Sequence, residues 1–218
     1  MKKFISFGEL MLRLCPPGHQ RFVQADSFCA TYAGGEANVA VALSNFGVDA
    51  AFVSAVPKHE IGQAAINMLR RYGVDCSMIL RQGERLGIYY VEKGASQRPS
   101  KVIYDRKGSA IANSVPSDYH WNEIFSEEVG WFHFTGITPA LGDNLVTCCA
   151  DACRTAKEKG ITVSCDLNYR KNLWSSEKAC SVMRELMQYV DVLVANEEDA
   201  ARVFGISAPD TDVEKRCV

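Results

Sequence analysis

Polar side chains collect immediately after three predicted strands. Ile161–Cys165 runs into Asp166-Leu167-Asn168-Tyr169-Arg170, Val190–Ala195 into Asn196-Glu197-Glu198-Asp199, and Val129–Phe134 into Thr135-Gly136. In open parallel sheets ligands bind beyond the carboxyl ends of the strands, so all three groups point to one edge. Asp166 and Asn196 could equally cap the helices that follow them. Capping leaves Arg170 unexplained, because its planar guanidinium suits a carboxylate or a phosphate. Earlier in the chain, Ala33-Gly34-Gly35-Glu36-Ala37-Asn38 sets two glycines before a helix. A ligand can then approach backbone amides at the positive end of the helix dipole, with Glu36 and Asn38 in reach of hydroxyls; an ordinary tight turn explains the same glycines. Tyr104 and Arg106 are two residues apart on a predicted strand and share a face, whereas Tyr89 and Tyr90 face opposite ways, so one of that pair can join a site. Together these groups describe a small, polar, sugar-like ligand at a sheet edge. No GxGxxG follows the first strand and no GK[ST] ends the glycine loop, which argues against a dinucleotide-binding oxidoreductase and a P-loop nucleotidase.

The elements that must carry these residues alternate. Strand Phe4–Phe7, helix Glu36–Phe46 (with Val39, Leu43 and Phe46 on one face), strand Ala51–Val56 and helix His59–Tyr72 (Ile61, Ala65, Met68, Tyr72) open the chain. Strand Val129–Phe134, helix Asn144–Lys159, strand Ile161–Cys165, helix Glu177–Tyr189, strand Val190–Ala195 and helix Glu197–Phe204 follow. Such alternation predicts βαβ units and a parallel sheet. Arg21–Tyr32 and Leu86–Arg106 break the rhythm. The second reads as a hairpin, Leu86–Glu92 with Lys101–Arg106, around a turn-rich Gly94–Pro99. These extended segments, about 12–32 and 86–106, are expected to form a small β-lid over the main domain.

Composition sets the class. At 218 residues, 47% hydrophobic and 23% charged with a net charge of -2, the chain matches an ordinary globular protein, and nucleic acid or anionic membrane are poor partners for it. The apolar start stops at Gly8-Glu9, too short for a signal peptide, and no run is long enough to span a membrane. Nine cysteines without a CxxC pair read as reduced thiols packed as small hydrophobes, and a cytoplasmic location is expected.

Taken in order, these segments resemble the ribokinase-like (PfkB) family of carbohydrate kinases over essentially the whole chain. The amino-terminal glycine signature is carried by Ala33-Gly34-Gly35-Glu36-Ala37-Asn38-Val39-Ala40 and Asn45-Phe46-Gly47. Asp105-Arg106-Lys107-Gly108-Ser109-Ala110, Thr135-Gly136-Ile137-Thr138-Pro139-Ala140-Leu141 and Asn168-Tyr169-Arg170 with Leu173-Trp174-Ser175 are similar to the branch acting on 2-keto-3-deoxygluconate. The resemblance implies a three-layer α/β fold with a mostly parallel central sheet and a β-lid, and phosphorylation of a sugar hydroxyl by ATP with Mg2+. It implies a sugar site of Gly34, Gly35, Glu36, Ala37 and Asn38, with Tyr89, Tyr104 and Arg106 from the lid and Arg170 between a sugar acid and the phosphates. Asn168, Arg170 and Asn196 would serve the nucleotide. Asn196 and the acids after it resemble the family's NxxE motif, making Glu197 and Asp199 indirect magnesium partners. Two positions depart: Asp199 stands where the motif has Glu, and Pro57 where the signature has Gly.

The family's Gly-Ala-Gly-Asp segment, whose aspartate is the base on the sugar hydroxyl, has no counterpart in Asp210–Val218. The base is therefore expected beyond Val218, and the chain, incomplete at its carboxyl end, is expected to be inactive by itself, since a general base contributes about 10²–10⁴-fold. A fructokinase or ribokinase of the same family, and a non-catalytic sugar-binding module, remain alternatives. Exposed lid edges favour a homodimer through the lid.

Overall fold

A computed structural model describes residues 2–207; Asp210–Val218 lie outside the described residues. The chain forms β1 (Lys3–Phe7), β2 (Met11–Cys15), β3 (Cys29–Ala33), α1 (Gly35–Asn45), β4 (Ala50–Val56), α2 (Glu60–Arg71) and β5 (Ile79–Arg81). It continues through β6 (Ile88–Glu92), β7 (Lys101–Asp105), the single turn α3 (Trp121–Ile124), β8 (Val129–Thr135) and α4 (Asp143–Glu158). Then come β9 (Thr162–Asp166), α5 (Ser176–Leu186), β10 (Val192–Val194) and α6 (Glu197–Phe204). Six strands build a parallel sheet in the order β10-β9-β8-β1-β4-β5, and four build a separate small sheet in the order β3-β2-β6-β7.

The main sheet is covered on both faces, which is why its strands are apolar runs and do not alternate. All seven residues of β4 are buried. One face packs Ile5, Phe7, Phe132 and Phe134 against α4 and α5, where Cys148, Cys149 and Cys153 fill the space beneath the helix. The other packs Phe4 and Phe52 against α1 and α2. Burial raises the thiol pKa of Cys148 to about 12 and of Cys76 to about 11, as small apolar packing groups require. The eight described cysteines are unpaired. Among the described residues no helix is long and apolar enough to cross a membrane.

Several expectations change. The buried face of α2 is Gly62, Ala65, Ile66 and Leu69, while Ile61 and Tyr72 are exposed. A side chain on Gly62 would run into the Pro57 carbonyl, so the helix meets the sheet through its smallest residues. Likewise α1 buries Ala37 and Ala40, and Phe46, expected on its inner face, is 83% exposed past the helix end. Arg21–Tyr32 is not one extended run: Phe22–Gln24 forms a 3-10 turn before β3. Strand β2 falls at the start of the expected lid segment of about 12–32, β5 has no sequence-based counterpart, and β10 spans three residues where six were expected. The hairpin pairs as expected, with Tyr89 opposite Tyr104, but the small sheet also contains a parallel pair, β2 with β6.

Candidate active site

Strands β8, β9 and β10 run parallel side by side, so their polar carboxyl ends share one edge. A cavity of about 1110 Å³ opens there, between β7 of the small sheet, the loop after β9 and the start of α6. Of the residues singled out in the sequence, Tyr104, Arg106, Arg170, Asn196 and Asp199 line it.

On the small-sheet side, the Arg106 guanidinium lies 5.7 Å from the Tyr104 ring centroid, and Tyr104 stacks on Tyr89 at 6.0 Å. Tyr90 faces away, packing against Phe22 and Phe28. Arg106 already has a partner. Its Nε donates to Glu9 Oε2 at 2.9 Å and its Nη2 to the same oxygen, while Ser109 Oγ donates to Glu9 Oε1 at 2.7 Å. Glu9 lies two residues past the end of β1, so this ion pair ties the small sheet to the main one.

On the main-sheet side, Arg170 is exposed and donates to the Tyr169 carbonyl at 3.1 Å. Asn196 caps α6: its Oδ1 accepts from the Asp199 N–H at 2.7 Å, and its Nδ2 donates to Asp199 Oδ2 at 3.2 Å. The helix start thereby holds the Asp199 carboxylate in place at the cavity. Asp166 caps nothing; it accepts from the Asn168 N–H at 3.1 Å, and burial raises its carboxyl pKa. Asn168 takes a left-handed φ of 39°, a conformation that Asn tolerates, and its amide lies 3.6 Å from where a Cβ of Gly35 would stand.

The glycine segment is distributed differently. A side chain on Gly34 would strike the Glu9 carbonyl oxygen, so this glycine serves the contact between helix start and strand end. Glu36 is 1% exposed and turned inward. Its Oε1 accepts from Thr135 Oγ1 and Thr138 Oγ1, each at 2.7 Å, and from the Thr135 N–H at 3.2 Å. Burial raises its carboxyl pKa above the ordinary value, and those hydrogen bonds oppose the rise. Ala37 is buried, and Asn38 opens into a second cavity of about 570 Å³ with Thr31, Tyr32 and Arg71.

The pfkB family carbohydrate kinase profile matches residues 1–217. The chain belongs to that family. A 2-dehydro-3-deoxygalactonokinase of Haloferax volcanii is 39% identical over 202 residues, which are 93% of this chain and 63% of the relative. A 2-dehydro-3-deoxygluconokinase of Thermoproteus tenax is 31% identical over 99% of this chain and 66% of its own length. The crystal structure of a Thermotoga maritima 2-dehydro-3-deoxygluconokinase superposes with a TM-score of 0.94 at 53% identity, covering 97% of this chain and 65% of that one. A Pyrococcus horikoshii sugar kinase solved with ATP superposes at 0.81 with 25% identity, over 94% of this chain and 67% of that chain. The fold is ribokinase-like, and the chain spans roughly two thirds of the length of these relatives.

Within this kinase family frame, sequence reasoning set Thr135 at the sheet edge without pairing it to Glu36, and gave Glu9, Ser109 and Thr138 no role of their own. Signals were present: Gly8-Glu9 puts a charge where a buried strand ends, and Thr135 and Thr138 are spaced to meet one acceptor. Among the described residues no three His, Cys, Asp or Glu side chains gather as a metal site. The single oriented Asp199 carboxylate still suits magnesium, which keeps several waters and takes one or two carboxylates alongside phosphates.

Proposed function

We propose that the whole protein is an ATP-dependent kinase for a 2-keto-3-deoxy sugar acid, with 2-keto-3-deoxygluconate as the preferred substrate. The observation that carries this reading is the cavity that brings Tyr104 of the small sheet opposite Arg170, Asn196 and Asp199. Family membership and the names of the relatives support the substrate class.

The small sheet acts as a lid made of segments about 12–32 and 86–106. Tyr89 and Tyr104 give the sugar an aromatic wall and exclude water. Gly34, Gly35, Ala37 and Asn38 form the floor at the start of α1, and Glu36, held by Thr135 and Thr138, keeps that floor rigid against β8. The exposed Arg170 has donors available for the sugar carboxylate and for phosphate oxygens. Asn168 and Asn196 serve the nucleotide side, where Asp199, with Glu197 beside it, holds magnesium through water. ATP supplies the phosphoryl group, and its transfer depends chiefly on positioning and charge neutralisation. The base on the sugar hydroxyl lies beyond Val218. Exposed Val102, Ile103 and Tyr104 on the edge strand β7 support a homodimer through the lid, and the unpaired cysteines support a cytoplasmic location.

The test measures ATP consumption with 2-keto-3-deoxygluconate, its galactonate epimer, fructose and ribose. It is run on the 218-residue chain and on the protein continued through its natural reading frame. Turnover of the acids by the longer protein alone is expected. Failure of the longer protein with every sugar overturns the kinase reading; preference for fructose or ribose overturns the acid.

A further inference from the structure

Strands β2 and β3 of the small sheet meet at their last rung through two cysteines. Their antiparallel register runs from Met11 opposite Ala33 to Cys15 opposite Cys29. Residues directly opposite in an antiparallel pair have Cα atoms about 4.5 or 5.5 Å apart, and a disulfide spans about 4.4–6.8 Å between Cα atoms. Side chains paired in this way also project to one face of the sheet. Both thiols are free. The backbone therefore already has the geometry of a cross-strand disulfide.

Access separates this pair from the other clustered thiols. Cys148, Cys149, Cys153 and Cys165 are each 0% exposed, packed between α4 and the main sheet. Burial holds all four above the ordinary thiol pKa, so the nucleophilic thiolate is scarce there. Cys29 is exposed on the edge strand β3, whereas Cys15 is 8% exposed. One partner is open to a reagent from solution, and the other is sheltered where it can answer.

The rung lies where the chain leaves β2 through Pro16-Pro17-Gly18 and returns through Phe28 into β3. In between, Phe22 and Phe28 pack on Tyr90 of the lid, and the Phe22 N–H donates to Glu92 Oε2 at 2.9 Å. A bond between Cys15 and Cys29 closes a loop of 15 residues and clamps the base of that segment.

We propose that Cys15 and Cys29 are a reversible modification site for small-molecule disulfides, whose product is an intrachain bridge clamping the lid. The Cys29 thiolate attacks one sulfur of the reagent, breaks its S–S bond and expels one thiolate. The Cys15 thiolate then attacks Cys29 Sγ in the mixed disulfide and expels the second. The two cysteine thiols give up two electrons and two protons, and the reagent leaves as two thiols. This site does not depend on the kinase reading.

The test incubates the reduced protein, continued through its natural reading frame, with glutathione disulfide, blocks the remaining thiols and digests with trypsin. Cleavage after Arg13, Arg21 and Lys58 puts Cys15 in Leu14–Arg21 and Cys29 in Phe22–Lys58, neither of which holds another cysteine. The two peptides should appear joined, and should separate on treatment with dithiothreitol. C15A should stop at glutathione on Cys29, because the answering thiol is gone, and C29A should leave residue 15 unmodified; should C15A not fold, C15S takes its place. The bridged protein should melt about 6–12 °C above the reduced one. Glutathione retained on Cys29 of the unmodified protein without a bridge, or both peptides recovered as free thiols, overturns the site. A bridge that leaves the melting temperature unchanged overturns the clamp.

Discussion

Arg106 and Arg170 border the same cavity and are held in opposite ways. The Arg106 side chain is 11% exposed and paired with a Glu9 that is 2% exposed, with Ser109 completing the carboxylate. Arg170 is exposed and makes one hydrogen bond, to its neighbour's carbonyl. The Arg106 guanidinium, buried against a carboxylate, ties the two sheets together, whereas Arg170, held by a single backbone oxygen, has donors to spare. Residue type and position at the cavity do not separate these roles. The partner does.

The strongest way to break this comparison is Glu9→Gln, which leaves Arg106 charged, desolvated and uncompensated. Removing one partner of a buried ion pair costs about 3–5 kcal/mol. Urea unfolding of the 218-residue chain should show a loss of that size, and the double variant E9L/R106M should recover much of it, since apolar replacement of both partners is often close to neutral. A loss below about 1 kcal/mol, the range of exposed pairs, would move Arg106 into the same class as Arg170.

The way each of these groups could be read from the sequence follows the same division. The βαβ rhythm was legible because continuous apolar strands and glycine-stopped helices are local signals, and the hairpin was legible because Gly94–Pro99 breaks two β-rich runs. The polar strand ends were legible through the rule that places ligands at a parallel sheet's carboxyl edge. Glu36 was not. A carboxylate directly after a glycine pair looks like a ligand group until Thr135 and Thr138, about a hundred residues later, are folded onto it. The same holds for Glu9 and Arg106, separated by 97 positions, and for the inner faces of α1 and α2, where close approach selects Ala and Gly over the larger apolar residues. The pairing of strand β2 lacks a sequence signal as well: it joins β6 in parallel, far along the chain.

An intermediate effect tests the open side of the comparison from its one rigid point. Asn196→Ala removes the cap of α6 and the hydrogen bond that orients Asp199. Loss of an N-cap costs about 1 kcal/mol, so thermal unfolding should register a modest drop, and Asn196→Asp, which keeps the cap acceptor, should restore most of it. Unchanged stability in the alanine variant would mean that Asp199 is positioned by burial alone.

The smallest effect on stability, and the sharpest on substrate, is expected at Arg170. Arg170→Met removes one exposed hydrogen bond to Tyr169, and surface changes of this kind stay within about 0.5 kcal/mol. If Arg170 keeps its donors for a ligand, the continued protein should show a KM for the sugar acid raised by at least about tenfold, because a charge-assisted hydrogen bond is worth about 1.5–3 kcal/mol. Arg106→Met should show the reverse balance, a large stability loss and a weaker substrate effect per unit of folded protein. Thermal midpoints and KM values for the two variants, plotted against each other, should therefore fall in opposite corners. Two variants that lose stability and affinity in the same proportion would erase the distinction between joint and grip, and the cavity would have to be read as a single cooperative unit.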